Sequence, residues 1–185
     1  MGVGARRNPY VVHCNLCSVK LIMDSDAIIK LTRASAKEAV CDAFTVLLPK
    51  DVRRECVEEG KAGGFVDAFE IEENLRRGAL GVVRPKRSKR VDTMIRELGL
   101  TGGEADALRA FRSGGGDMVV SDDRRFLQIL EGLSIPFATP GAVLAALVRR
   151  GKVTPMRARA MLDALSALVS EAEHMEAERA IKEEE

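Results

Sequence analysis

Short apolar runs that alternate with helix-like segments constrain this chain more than any other feature of it. VKLIM ends at Met23, AFTVLL covers Ala43 to Leu48, LGVV covers Leu80 to Val83, DMVVS ends at Ser121, and SIPFA covers Ser134 to Ala138. Each is too short for an ordinary helix and reads as a buried strand. Between them lie segments of helical character: DAIIKLTRASAKEAV, KDVRRECVEEG behind Pro49, a polar stretch from Val66 to Arg77, and a basic turn with its helix after Val83. EADALRAFR behind the turn LTGG, a run from Asp122 through Leu130, and a segment opened by Pro140 continue the series. Strands alternating with helices favour an α/β fold, a parallel sheet covered on both faces. In such sheets ligands sit beyond the carboxyl ends of the strands.

With 185 residues, 46% of them hydrophobic, the chain can bury one good core and is too short for two large domains. Residues 1–18 carry no period and read as an irregular N-terminal arm, residues 19–150 as the α/β domain, and residues 151–185 as a C-terminal helical extension. In the extension, Met161, Leu165, Leu168, Ala172 and Met175 step by four, three, four and three, as one apolar stripe on a helix would. A second copy or a partner protein is about as good a cover for that stripe as the core. No stretch approaches the roughly 18 to 20 apolar residues of a spanning helix. The four cysteines form no framework and the N-terminus lacks signal-peptide features, so a cytoplasmic protein with reduced thiols and no membrane association is expected. His13, Cys14 and Cys17 form an HCxxC cluster without the second pair that structural zinc requires.

Acidic residues gather at the junctions between strands and helices. Asp24 and Asp26 follow the first strand, Glu104 opens a helix, and Asp122 and Asp123 follow DMVV. In a parallel sheet these junctions lie on one edge, where converging carboxylates repel one another and a divalent cation is the usual compensation. Aspartate is also a good helix N-cap, which is the plain alternative for each Asp. Glu104 shares a helical face with Ala107, Leu108 and Phe111, where a carboxylate without a partner is costly. Asp106 falls on the other side and should be solvated. On KDVRRECVEEG, helical phase slightly favours Glu59 over Glu55. Crowding also predicts that Asp122→Asn leaves the metal-free protein at least as stable as wild type.

Lysine and arginine total 29 against 28 acidic residues, so any nucleic-acid partner must be argued from local charge. Five of the seven residues in RPKRSKR, Arg84 to Arg90, are basic, and Lys86, Arg87, Lys89 and Arg90 could hold a phosphate backbone, with Arg124 a further candidate. Six Phe, one Tyr and no Trp make base stacking on aromatic platforms a poor basis for binding.

LIMDSDAIIKL, LPKDVRRE, GGEADAL and VVSDDRRF, in that order between Val19 and Leu147, resemble the PIN-domain family of small α/β nucleases. The resemblance implies a three-layer parallel-sheet PIN-like fold. It assigns catalytic acids to Asp24, Glu55, Glu104 and Asp122, so it selects Glu55 where helical phase prefers Glu59. It further implies hydrolysis of RNA with Mg²⁺ or Mn²⁺, held by Asp24, Glu104, Asp122 and Asp123, with water as nucleophile and a 5′ phosphate left behind. Many such proteins are toxins held by an antitoxin, so an antitoxin or another protein, and a homodimer, are possible partners. Asp26 stands where many members carry Asn or Ser, and the helical tail extends beyond the minimal fold. A bound metal lowers the pKa of water and neutralises phosphoryl charge, so no histidine or serine nucleophile is required.

Two other functions are weighed against this one. Asp24-Ser25-Asp26 has the DxD form of haloacid-dehalogenase-like phosphatases, but DSDAIIKL and the residues before Asp122 fit that pattern poorly. A PIN-like module that binds RNA or protein without cutting would not need all four acidic positions.

Overall fold

The computed structural model describes residues 19–184. Strand β1 (Lys20–Met23) leads through α1 (Ser25–Arg33) and α2 (Lys37–Ala43) to β2 (Thr45–Pro49). The chain then coils without a break through α3 (Lys50–Arg53), a π-helical stretch (Arg54–Glu59) and α4 (Gly60–Ala62). Helix α5 (Val66–Arg76), strand β3 (Leu80–Val83), and helices α6 (Lys89–Glu97) and α7 (Gly102–Arg112) follow. Strand β4 (Met118–Val120), α8 (Arg124–Gly132), β5 (Phe137–Ala138), α9 (Pro140–Arg149), α10 (Pro155–Leu165) and α11 (Glu171–Lys182) complete the order.

Every strand pairing is parallel, and the order across the sheet is β3-β2-β1-β4-β5. Helices cover both faces, which makes the three-layer α/β sheet that the sequence pattern predicts. Leu21 and Met23 of β1 face one layer with Ile28, Leu31, Leu144 and Leu162, while Ile22 between them faces the other with Leu108, Phe126 and Leu130. A strand buried on both faces must be apolar at every position, which is why these runs show no alternation of polar and apolar residues. The order reverses at β1 and β4: β2 and β3 lie beyond β1, β5 beyond β4. A crevice at the carboxyl ends of the two strands on either side of such a reversal is the usual ligand site of an open α/β sheet.

Three details differ from the sequence pattern. DAIIKLTRASAKEAV is two helices, because Ser35 takes a positive φ of 55° and turns the chain between α1 and α2. Ala43 consequently ends α2 instead of opening the second strand. The C-terminal stripe is likewise split: α10 stops at Leu165, and Ser170 caps a new helix. The turn resets the phase, so Met161 and Leu165 are buried, Met175 is exposed, and Ala177 and Ile181 fill the inner face of α11. Helices α10 and α11 join the same core as α1 and α9. The approach of α11 to α9 is close, since a Cβ at Gly141 would stand 2.8 Å from that of Ala177. The arm and its His13, Cys14 and Cys17 lie outside the described residues. Among these residues no helix is long and apolar enough to cross a membrane.

Candidate active site

Asp24 leaves β1 at the crevice, its backbone N–H donating to Val120 O at 3.1 Å across the β1–β4 pair. Its side chain is buried and caps α1 by accepting the Ala27 N–H at 2.7 Å. Burial pushes the carboxyl up to about 7; hydrogen bonds from the Ser121 side chain and the Ala27 N–H oppose the rise, and the charges of Asp122 and Asp26 add to it. The cap and the candidate catalytic role therefore coincide in one residue.

Asp122 stands next to the crevice two residues past β4. It is no helix cap; its carboxylate forms an ion pair with the Lys30 ammonium from the last turn of α1, both side chains being largely buried. This pair argues against the expectation that Asp122→Asn relieves crowding, because Lys30 already supplies a compensating charge. Asp123 is the cap of α8, accepting the Phe126 N–H at 2.7 Å, and its own N–H donates to Ser121 Oγ at 3.2 Å. Asp26 is exposed.

Glu55 lies in the π-helical stretch and accepts a hydrogen bond from the Ser25 hydroxyl, one residue beyond Asp24. Its carboxylate also faces the first turn of α7: a Cβ on Gly103 would come within 3.2 Å of Oε2. The positive end of that helix favours a negative charge there. Glu59 instead is exposed and pairs with Arg54 at 3.2 Å. Phase counted at 3.6 residues per turn fails across a π-helical stretch, which explains why the pattern of KDVRRECVEEG points to the wrong side. Glu104 sits in the same first turn of α7, half-buried, its carboxyl raised by burial and by Asp123 and lowered in part by Arg125. Asp106 is not solvated: it accepts from Arg109 at 2.8 Å, and Arg109 also holds Asp92 at 2.7 Å.

The parallel sheet thus brings Asp24 and Asp122 to its carboxyl edge, the π-helical stretch brings Glu55 against Ser25, and the first turn of α7 carries Glu104. All donors are carboxylate oxygens, which suit a hard divalent cation and not a soft one. Among the described residues no three acidic, histidine or cysteine side chains stand close enough to grip an ion as placed. Each carboxylate except Glu104 is turned onto a local donor instead: Asp24 onto Ala27 and Ser121, Glu55 onto Ser25, Asp122 onto Lys30, Asp123 onto Phe126. The donor chemistry fits a divalent ion, which would also offset the cost of burying an ionised Asp24 carboxylate.

A family model, DUF3368, described as a PIN domain, matches residues 20–182, nearly the whole described chain. The chain belongs to the PIN-domain family. PIN domains are generally nucleases and typically use divalent metals. Membership sets aside the haloacid-dehalogenase reading of Asp24-Ser25-Asp26. Among solved structures, PAE2754 from Pyrobaculum aerophilum shares the fold at 20% identity, with a TM-score of 0.50 over 73% of this chain and 91% of that one. No curated protein matches the chain. The PIN match runs through α10 and α11, the helices that share the core with α9.

Around this PIN site, Lys86 and Arg87 lie exposed on the connection after β3, and Lys89 and Arg90 open α6. They follow the carboxyl end of β3, a strand two places from β1 in the sheet. Arg124, also exposed, follows Asp123. Sequence reasoning passed over Ser25, Ser121, Lys30 and Glu173. Ser121 could have been suspected from its place between DMVV and the aspartates. Lys30 is embedded in the apolar run of α1, and Glu173 is one acid among many in the tail.

Proposed function

We propose that this PIN domain is a Mg²⁺- or Mn²⁺-dependent endoribonuclease that hydrolyses RNA phosphodiester bonds in the cytoplasm, with Asp24, Glu55, Glu104 and Asp122 as its acidic set and Asp123 beside them. The observation that carries the reading is the placing of Asp24 and Asp122 on either side of the crevice where the strand order reverses, with Asp24 buried. An ion bound by this set would supply an activated water and neutralise charge on the phosphoryl oxygens. The protein's own part is positional. Ser121 and the Ala27 N–H fix the Asp24 carboxylate, Ser25 fixes Glu55, and the start of α7 fixes Glu104. Lys86, Arg87, Lys89, Arg90 and Arg124 provide a basic surface along the same edge for the phosphate backbone.

The experiment is cleavage of single-stranded RNA with Mg²⁺ or Mn²⁺, beside Asp24→Asn and Glu104→Gln. Both variants should be inactive while keeping a native fold by circular dichroism. Cleavage that survives excess EDTA, or products ending in 2′,3′-cyclic phosphate, would sink the proposal.

A further inference from the structure

The acidic edge carries a largely buried cation, Lys30, and a carboxylate from the C-terminal helix docks at the start of the neighbouring helix α9. Lys30 Nζ pairs with Asp122, with side-chain exposures of 16% and 12%. Ser121 N donates to Ala138 O at 3.1 Å, which sets Asp122 beside Thr139 and the start of α9. Glu173 of α11 reaches that point: its Oε1 accepts the Gly141 N–H at 3.1 Å. It is more than half buried there, and its carboxyl, raised mainly by burial, is raised further by Asp122 and lowered by Lys30. One ammonium is therefore paired directly with Asp122 of the proposed catalytic set and also feels the charge of Glu173, from a helix outside that set.

We propose that Lys30 is a positioning residue that neutralises Asp122 in the metal-free protein, competes with a divalent ion for it, and is received by Glu173 when it yields. This rests on the nuclease reading above and gives α11 a part in the site. An ammonium beside Asp122 keeps the edge assembled when no ion is present, since two unpaired carboxylates there would repel one another. A second carboxylate lowers the cost of releasing Asp122, because the desolvated ammonium then keeps a partner. Nothing in the sequence of α11 signals this; the docking of Gly141 against Ala177 does, by fixing where Glu173 falls.

The test is Mn²⁺ binding by isothermal titration calorimetry, without RNA, on the full chain. Lys30→Met should bind Mn²⁺ roughly fivefold more tightly than wild type, and Glu173→Gln more weakly by a similar factor. In the Lys30→Met background, Glu173→Gln should change affinity by less than about twofold, because its effect passes through the lysine. Lys30→Arg, which strengthens the pair with Asp122, should weaken Mn²⁺ binding and serves if Lys30→Met does not fold. Unchanged or weaker binding in Lys30→Met, equal or tighter binding in Lys30→Arg, or an undiminished effect of Glu173→Gln in the double variant would each overturn the inference while leaving the nuclease reading intact. Wild-type protein that binds no Mn²⁺ would remove the nuclease reading and this inference with it.

Discussion

The Ser25 hydroxyl donates to the carboxylate of Glu55, 30 positions further along the chain, and so ties the residue after Asp24 to the π-helical stretch. Glu59, one turn on, is exposed beside Arg54. The bond selects Glu55, although helical phase favours Glu59. Glu55→Gln should reduce RNA cleavage by on the order of tenfold to 100-fold, and Glu59→Gln should be close to wild type. Glutamine still accepts from Ser25, so the melting temperature should barely move. Equal, small effects of the two changes on single-turnover rates would remove Glu55 from the site.

How far the sequence reached is visible at the same residues. The strands and their order of appearance were legible because a strand buried on both faces leaves an uninterrupted apolar run, as in LIM and MVV. The positions of Asp24 and Asp122 were legible because they follow strands whose ends a parallel sheet must place on one edge. What stayed hidden depends on local departures from regular geometry or on contacts distant in sequence. The π-helical stretch rotates Glu55 inward, the left-handed Ser35 divides α1 from α2, and the turn before Ser170 resets the face that α11 buries. Lys30 with Asp122 and Glu173 with Gly141 join residues far apart in the chain, and neither pair leaves a periodic trace.

Basic residues on the carboxyl edge give a second prediction. Lys86, Arg87, Lys89 and Arg90 are all exposed, and they follow β3 toward the same edge that carries Asp24. Replacing all four with glutamine should weaken RNA binding to the inactive Glu104→Gln protein. The slope of log affinity against log salt should flatten by roughly 0.7 for each phosphate of a single strand that is deprived of its basic partner. Preference among bases should stay as it was. A slope identical to that of the parent would return these residues to ordinary solvated surface.

Close packing of α11 on α9 gives a third. Gly141 has no room for a side chain, since its Cβ would meet Ala177 Cβ at 2.8 Å and Glu173 Oε1 at 3.4 Å. Gly141→Ala should cost about 1–3 kcal/mol, the usual range for overpacking a filled site. The loss should be local, with faster hydrogen exchange in residues 171–182 than in β1. Ala177→Gly, placed in the Gly141→Ala background, reopens the space and should recover part of the stability. A Gly141→Ala protein with an unchanged melting temperature would mean that α11 does not sit this close to α9.

Two aspartates on one crevice should respond to neutralisation in opposite directions, because only one of them has a cation. Burial raises the Asp24 carboxyl from 3.8 to about 7 in the folded protein. Between those values the folded chain holds a proton that the unfolded chain has released. Metal-free stability therefore falls as pH rises through that window, and it is flat in this group above and below. Asparagine remains a good N-cap for the Ala27 N–H and carries no charge. In EDTA, Asp24→Asn should thus melt above wild type at about pH 8, with a smaller gap at about pH 5, where much of the wild-type carboxyl is protonated. Asp122→Asn should do the reverse at about pH 8 and melt lower, by on the order of 1 kcal/mol, because it strands the largely buried Lys30 ammonium. Scanning calorimetry at both pH values measures the two differences directly. If Asp24→Asn melts lower than wild type at the higher pH, its charge is not the burden that its burial implies; if Asp122→Asn melts higher, crowding and not the pair with Lys30 governs that side of the crevice.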